Sequence, residues 1–335
     1  MPASARIPPP VRDKVSDRVL KTIDIVEKFV NEECIPADPV YTVQLGEGNG
    51  RWTYPPIMED LKKKAKNLGL WNMFLAKGHY KEGADFTNLE YGLMCEQFTC
   101  GSLRKATNNS APDTGNVEVL AKYGTDAQKK QWLTPLLNGE IRSCYVTTEL
   151  DVASSDATNV QLSIKKDGDS YLLNGQKWWI SGAGDPRCKL YIVLGKTDPN
   201  NSDKYKQQSI ILVPSNSPGI TVKRMLSAYG YDDAPHGHAH LTFKDARIPE
   251  ANIILGECRG FEVMQGHMGP GRIHHAMRSI GAAEEALSWL FTRANAEHKK
   301  PFGKLLSSQG VILQWIAKSR IEINAARLIV LNAVV

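Results

Sequence analysis

Hydroxyl-bearing residues and indoles gather in two short segments of the chain. Residues 145–156 read Tyr-Val-Thr-Thr-Glu-Leu-Asp-Val-Ala-Ser-Ser-Asp, and residues 177–182 read Lys-Trp-Trp-Ile-Ser-Gly. A planar cofactor with a polar edge needs fixed N–H and O–H donors along that edge and an aromatic wall against its ring. Loops rich in serine and threonine also cap helices and form turns, so spacing alone leaves both interpretations open.

Size and charge narrow the class of protein. A chain of 335 residues can hold two or three packed units, and its 42% hydrophobic and 23% charged residues are ordinary for a globular protein. The net charge of +5 is dispersed among acids. This pattern is too diffuse for a nucleic-acid-binding face, but it suits a phosphate-bearing ligand. The run Lys62-Lys63-Lys64 is predicted to be a solvated helix face.

The cysteines and the chain start bear on the compartment. The six cysteines form no C-x-x-C pair, which predicts thiols in a reducing compartment. No apolar run reaches transmembrane length. The proline-rich residues 1–10 disfavour a secretory signal or an amphipathic transit helix. Cytoplasm is the default expectation, and a mitochondrial or peroxisomal location stays open.

The period of the apolar residues changes twice along the chain. Up to about Gly139 it predicts helices, the first of which ends before Pro36. Short β-branched and aromatic runs then alternate with turn signals, and the helical period returns at Arg272. The predicted fold class is α+β, with an N-terminal all-helical domain (1–140), a middle small antiparallel β barrel-like domain (141–257) and an incomplete C-terminal helical bundle (258–335).

The last residues of the sequence are apolar. Residues 328–335 read Leu-Ile-Val-Leu-Asn-Ala-Val-Val, without a cap or a charged fringe. A helix of this kind predicts that another subunit, or a further part of the fold, covers its apolar face.

The order of these domains and three motifs resemble the acyl-CoA dehydrogenase flavoprotein family, in particular its eukaryotic branch related to the kinase-fused members. The motifs are residues 110–116 (Ser-Ala-Pro-Asp-Thr-Gly-Asn), 151–159 (Asp-Val-Ala-Ser-Ser-Asp-Ala-Thr-Asn) and 269–275 (Gly-Pro-Gly-Arg-Ile-His-His). The resemblance covers essentially the whole chain. It implies a cofactor, FAD, and an acyl-CoA substrate.

The resemblance also implies roles for individual residues. Thr148 and the main chain at Thr147 would donate to the flavin pyrimidine oxygens, and Trp179 would form the wall of the isoalloxazine. Ser181 would hydrogen-bond near flavin N5, where the hydride arrives. Ser155 would reach the pyrophosphate and approach the acyl-CoA arm. The implied cofactor-binding set is Val146, Thr147, Thr148, Glu149, Ser155, Trp179, Ile180, Ser181, Lys299 and Gln309.

Further resemblances concern the C-terminal part. Arg272, at the predicted start of the first bundle helix, would join Ser155 in binding the CoA portion of the substrate. The segment that includes Gln309 would reach across a subunit interface to a neighbour's FAD. Lys299 stands where the family has arginine, which keeps the charge but loses bidentate phosphate geometry. Leu150 stands where the family has proline, which loosens the flavin loop.

No catalytic base can be assigned from the sequence. The desaturation needs a carboxylate over the substrate α-carbon. The family places it in one of two positions, of which one is Gly271 here and the other lies beyond Val335. Glu149 belongs to the flavin loop, and Glu284 and Glu285 are expected to be solvated or in interhelical pairs. The catalytic residue stays unknown.

Two functions follow as expectations. The first is an FAD-dependent acyl-CoA dehydrogenase of fatty acid metabolism, which desaturates the α,β bond of an acyl-CoA and passes electrons to an acceptor protein or oxygen. The alternative is a catalytically inactive homologue that acts as a structural or heteromeric partner. Both would assemble as homo- or hetero-oligomers through the bundle, without nucleic acid or an integral membrane segment. The period-two histidines His236, His238 and His240 lack a cysteine or carboxylate cluster, so no metal is predicted.

Overall fold

The computed structural model describes residues 1–98 and 105–334, which form two compact units. The first unit comprises residues 1–38, 64–98, 105–107 and 270–334, and the second comprises residues 39–63 and 108–269. Of the six cysteines, Cys100 lies outside the described residues, and none of the other five forms a disulfide there.

Helices dominate the first unit and flank the sheet segments of the second. In chain order the α-helices are α1 (Pro9–Arg12), α2 (Asp17–Phe29), α3 (Ile35–Leu45), α4 (Pro56–Asn67), α5 (Asn88–Gln97), α6 (Asp113–Tyr123), α7 (Asp126–Gln128), α8 (Thr134–Asn138), α9 (Gly260–Ala294) and α10 (Gly310–Asn332). The predicted order of a helical domain, a β domain and a helical bundle is confirmed. None of the helices in the described part of the chain is long and apolar enough to cross a membrane.

The first long helix runs further than predicted. Ser16 caps α2 by accepting a hydrogen bond from the Val19 N–H, and the apolar side of α2 is buried. Helical backbone then continues through a π-turn, Val30–Cys34, into α3. The predicted end before Pro36 is therefore wrong. A proline within continuous helical backbone removes one intrahelical hydrogen bond, and the π-turn directly before Pro36 marks where the regular ladder is already interrupted.

The C-terminal helix α9 starts before the predicted position. It begins at Gly260, so Arg272 lies inside the helix and does not open it. One of its glycines, Gly266, allows a close contact. At Gly266 an added Cβ would lie 2.4 Å from the Tyr123 hydroxyl, so only glycine allows this close approach.

The second unit contains one seven-stranded sheet. Its strands are β1 (Arg142–Val146), β2 (Ser163–Asp167), β3 (Ser170–Ser181), β4 (Cys188–Lys196), β5 (Gln208–Pro214), β6 (Ile220–Met225) and β7 (His238–Pro249). The order is β1-β4-β2-β3-β7-β6, with β5 on β4. The pairs β1/β4 and β2/β4 are parallel and the others antiparallel, so the sheet is mixed where the sequence predicted an antiparallel one. Sequence patterns show where strands lie, but not which of them pair.

A bulge interrupts the longest pairing in the sheet. In the β3/β7 register Lys177 pairs with Leu241 and Ile180 pairs with Ala239, so three steps on β3 oppose two on β7. Trp179, within the bulge, has a φ of 53°. Bulges of this kind redirect side chains, and they recur beside active sites.

Candidate functional site

Thr148 joins the loop after β1 to the bulged strand β3. The Trp178 N–H donates to the Thr148 carbonyl at 3.0 Å. In return, the Thr148 hydroxyl donates to the Trp178 carbonyl. The hydroxyl proton is thereby engaged, and the lone pairs of its oxygen are what it offers to a ligand. Toward a ligand, the Thr148 hydroxyl can therefore only accept a hydrogen bond, whereas the sequence expectation was that Thr148 donates one.

Glu149 and Lys177 form an ion pair beneath the same loop. Lys177 Nζ lies 2.8 Å from Glu149 Oε1 and donates to the Thr147 carbonyl at 2.8 Å. The Glu149 carboxylate also accepts the N–H groups of Gln161 and Leu162. Burial lowers the pKa of Lys177 to about 8, against the opposing effect of Glu149. Glu149 therefore fixes the course of the loop from within, since its side chain is buried.

The two indoles of the bulge differ in exposure. Trp178 is partly buried, whereas Trp179 keeps 38% of its surface exposed, and their ring centroids are 6.1 Å apart. The neighbouring Ile180 is buried in the sheet core. An exposed indole on a well-ordered strand offers an aromatic face to a flat ligand.

Ser181 ends β3 beside a histidine. Its Oγ lies 2.9 Å from His238 Nδ1, and His238 Nε2 lies 3.6 Å from Asp233 Oδ2. Ser181 is partly buried. The sequence predicted Ser181 as a site residue but gave no sign of these two partners.

The far part of the loop holds its shape through local hydrogen bonds. Ser154 Oγ accepts the Glu149 N–H at 2.9 Å, and Asp156 Oδ1 accepts the Thr158 N–H at 3.0 Å. Ser155 lies between them with an exposed side chain. The structure thus brings Val146, Thr147, Thr148, Glu149, Trp179, Ile180 and Ser181 to one place in the second unit, and it leaves Ser155 further along the same loop.

Comparisons with known proteins decide the family. Profiles of the acyl-CoA dehydrogenase N-terminal, middle and C-terminal domains match residues 18–140, 144–246 and 258–335. The chain is 44% identical to "Probable acyl-CoA dehydrogenase FadE2" of Mycobacterium tuberculosis (strain ATCC 25618 / H37Rv), over 90% of this chain and 72% of that protein. The chain belongs to the acyl-CoA dehydrogenase family.

Two further comparisons agree with this assignment. A solved acyl-CoA dehydrogenase-family structure from Mycobacterium abscessus superposes with a TM-score of 0.89 at 42% identity, over 95% of this chain and 79% of that chain. Mouse acyl-CoA dehydrogenase family member 10 is 49% identical over 95% of this chain. The chain spans 30% of the length of that mouse protein and 39 to 41% of the chicken and Arabidopsis relatives.

In this member of the acyl-CoA dehydrogenase family the remaining predicted site residues lie in the first unit. Arg272, Lys299 and Gln309 are all exposed. Gln309 directly precedes α10, and Lys299 lies in the connection between α9 and α10. Phe302, in the same connection, has a φ of 56° and is fully exposed.

Two arginines hold the carboxylate of Glu284 on α9. Glu284 accepts hydrogen bonds from Arg320 at 2.6 Å and from Arg327, both on α10. Burial raises its pKa, but hydrogen bonds from the two guanidinium groups outweigh this and hold the pKa below its ordinary value. A carboxylate of low pKa that is held by two arginines is a poor general base. Gly271, at one family position for the base, has no neighbouring atom within 4 Å of an added Cβ.

The histidines of β7 bind side chains. His240 Nε2 lies 3.0 Å from Gln176 Oε1, and Gln176 Nε2 donates to Asp151 at 3.0 Å. Within the described ranges, no group of three His, Cys, Asp or Glu residues could hold a metal ion.

A buried polar network next to the loop escaped sequence analysis. Asp113 Oδ1 accepts from the N–H and the hydroxyl of Ser143, at 2.8 and 2.7 Å, and Oδ2 accepts from Arg142 at 3.1 Å. Asn116 donates to Ser143 Oγ at 2.8 Å and lies 3.1 Å from His267 Nε2. The network fixes β1, from which the candidate loop emerges. Its sequence signal was the polar run at 108–116, which overlaps the 110–116 motif of the family resemblance but was not assigned a packing role.

The sequence also gave no sign that two ionisable side chains, Glu118 and Lys62, are buried. Glu118 on α6 is buried, and this burial raises its pKa to about 8. Lys62, predicted to be solvated, is 4% exposed and lies over the Tyr54 ring, so that prediction is wrong. Burial lowers the pKa of Lys62 to about 8. The aliphatic part of the Lys62 side chain is buried, while its ammonium donates a hydrogen bond to the Glu59 carboxylate at 2.8 Å.

Proposed function

We propose that this chain binds FAD with the isoalloxazine against Trp179. The observation that carries the proposal is the exposed Trp179 indole, which the β3 bulge presents beside the hydroxyls of Thr148 and Ser181. Family membership supports the same cofactor, since the resemblance implies a flavoprotein.

The residues present fit the chemistry of a flavin. The pyrimidine edge of the ring carries both carbonyl acceptors and an N–H donor, and the Thr148 oxygen supplies an acceptor for that donor. Ser181 provides a hydroxyl that can either donate or accept. Trp179 provides a polarisable face. The Glu149–Lys177 pair holds the loop in place, as a preorganised site requires.

The reaction class that this family implies is α,β-desaturation of an acyl-CoA thioester. Bound FAD would supply the acceptor for the β-hydride, an acceptor protein or oxygen would take the electrons onward, and the α-proton would pass to a base that is not assigned among the described residues. The residues of this chain would bind and orient the cofactor and the substrate. Ser155 would contact the FAD pyrophosphate and the CoA arm, and Arg272 would contact the CoA. Lys299 and Gln309 would contact the FAD of a neighbouring subunit. The last two roles need a homo- or hetero-oligomer formed through the bundle.

One observation favours a second function. Gly271 provides no carboxylate at one family position for the base, and Glu284 is held by arginines. A family member that binds FAD without desaturating its ligand is consistent with both observations. Such a protein would act as a structural or heteromeric partner.

Anaerobic spectroscopy separates the two functions. The protein is saturated with FAD, freed of excess by gel filtration and titrated with acyl-CoA thioesters of several chain lengths, while flavin absorbance is recorded. Bleaching by an acyl-CoA supports the dehydrogenase. Retained FAD that no acyl-CoA bleaches supports the binding protein. A colourless protein that takes up no FAD contradicts the proposed FAD site and the dehydrogenase, and leaves only a flavin-free structural or heteromeric partner.

A further inference from the structure

A carboxylate and an imidazole stand in line behind the Ser181 hydroxyl. Ser181 and His238 are cross-strand partners on β3 and β7, with Oγ and Nδ1 2.9 Å apart. The other imidazole nitrogen, Nε2, lies 3.6 Å from Asp233 Oδ2. The three groups form a chain of carboxylate, imidazole and hydroxyl, and its hydroxyl end lies in the proposed flavin site.

Two backbone features build this alignment. Because the bulge adds a residue before Ile180, pairing resumes in the register that sets Ser181 opposite His238. Before β7 the chain turns back on itself, with the Gly237 N–H donating to the Asp233 carbonyl at 2.8 Å. Asp233 has a φ of 55°, a conformation that aspartate tolerates better than most residues.

A serine hydroxyl has one proton, so the hydrogen bond that Ser181 makes with His238 determines whether the hydroxyl can still donate to a ligand. If His238 is neutral with its proton on Nε2, Nδ1 accepts from Ser181, and only the oxygen lone pairs face a ligand. If His238 is an imidazolium, Nδ1–H donates to Ser181, and the hydroxyl proton is available to the ligand. Asp233, facing Nε2, favours both of these forms over the neutral form protonated on Nδ1.

We propose that His238 is a positioning residue that sets whether the Ser181 hydroxyl donates to the bound flavin ring or accepts from it. Asp233 orients the imidazole from the other side. This inference rests on the proposed function, which puts the flavin beside Ser181. The ring nitrogen near such a hydroxyl accepts in oxidised FAD and carries a proton after reduction, so the two directions suit two oxidation states.

Charged and titratable side chains lie around His238, and the variant His238→Asn used below keeps all of them while removing the His238 imidazole. Asp233 is the carboxylate that faces it, and the His236 ring lies 6.3 Å away. Arg51, which reaches the same turn, is paired with Asp232 at 2.7 Å. Directly after β6, the Leu226 N–H donates to the His238 carbonyl at 2.8 Å, which is a backbone contact without charge.

The same residue types activate a nucleophilic serine in hydrolases. There the carboxylate hydrogen-bonds the histidine directly. Here 3.6 Å between Asp233 and His238 is longer than a hydrogen bond, and Ser181 lies at the end of a paired strand. The geometry therefore points to orientation of the hydroxyl and not to acyl transfer.

The pH dependence of FAD affinity tests the proposal. The dissociation constant of oxidised FAD is measured by fluorescence titration from pH 5.5 to pH 8.5. For the wild type we expect affinity to fall about five- to tenfold as pH rises, because the donated hydrogen bond is lost. His238→Asn places an amide near Nδ1 without a titrating proton, so it should bind FAD with no pH trend.

Two further measurements guard against a structural effect. His298→Asn removes an exposed imidazole elsewhere in the chain and should keep the wild-type trend. In the FAD-free protein, ¹⁵N shifts should show the His238 proton on Nε2 at pH 8.5, and Ser181→Ala should move the Nδ1 shift.

The possible failures are distinguishable. Equal wild-type affinity at both pH limits, or a pH trend that survives in His238→Asn, overturns this inference and leaves the proposed function standing. No uptake of FAD by the wild type at any pH overturns both.

Discussion

The ammonium of Lys177 lies 2.8 Å from Glu149 Oε1, and the two side chains are 0% and 5% exposed. The pair links β3 to the loop that carries Thr147 and Thr148. Taking two charges out of water is costly, and the cost is offset here by additional hydrogen bonds from Gln161, Leu162 and Lys177 to loop atoms. The pair therefore holds the loop in register with the bulge.

Removing the Glu149 charge should destabilise the protein strongly. In Glu149→Gln Lys177 loses the charge that opposes the effect of burial on its pKa, so it either stays charged without a counter-ion or gives up its proton on folding. Both alternatives are costly, and we expect the free energy of unfolding to fall by about 3–5 kcal/mol in urea denaturation. Glu250→Gln is the matched control, because its pair with Lys166 is half-exposed and should change stability far less. Equal effects of the two substitutions would show that the buried pair does not hold the loop.

Glu118 should make stability fall toward alkaline pH. Burial raises its folded pKa to about 8, so the folded state keeps a proton that the unfolded state releases above about pH 4.3. The stability from this group is present at low pH and is lost as pH rises toward 8. Glu118→Gln should match the wild type near pH 4 and exceed it at pH 8 by about 2–4 kcal/mol. Parallel stability curves for the two proteins would contradict this.

His267 should weaken the protein in acid. Burial lowers its pKa to about 4, and its ring stacks on Tyr145 with centroids 3.7 Å apart. Between pH 6.5 and 4 the unfolded state binds a proton that the folded state does not, so stability is lost as pH falls. His267→Phe keeps an aromatic ring against Tyr145 but cannot bind a proton. Between pH 6.5 and pH 4 its free energy of unfolding, from thermal or urea denaturation, should therefore fall by about 1–2 kcal/mol less than that of the wild type. An unchanged acid slope would show that another group is responsible.

Arg327 should stabilise α9 and α10 through two carboxylates. It lies between Glu96 at 2.9 Å and Glu284, with 11% of its side chain exposed. Arg327→Leu should lower the free energy of unfolding by about 2–4 kcal/mol at pH 7, because it removes a largely buried guanidinium that both carboxylates share. Lys318→Leu, from an exposed pair on the same helix, should change it by about 0.5 kcal/mol or less. Similar losses in both variants would contradict this.

The sequence predicted the order of helices and strands because apolar periods report burial on one face of an element. It failed where tertiary packing overrides local preference. The helix does not end before Pro36, since a π-turn carries the helical backbone into α3, and α9 begins at Gly260 and not at Arg272.

The candidate site was also predictable only in part. The loop hydroxyls and Trp179 could be named from their residue types and the family resemblance. The partners of Ser181 could not, because the contact with His238 depends on a bulge that shifts the register by one residue. The Thr148 hydroxyl was expected to donate to a ligand, but its proton is engaged by a backbone carbonyl that sequence does not place nearby.

The central claim is that Trp179 forms the wall of a bound flavin. It is tested most directly by titrating the protein with FAD and comparing Trp179→Ala with Trp289→Ala, which removes a 68% exposed indole from α9. The account predicts stoichiometric binding by the wild type and by Trp289→Ala, and at least about tenfold weaker binding by Trp179→Ala. Wild-type affinity in Trp179→Ala, or no FAD binding by the wild type, would contradict it.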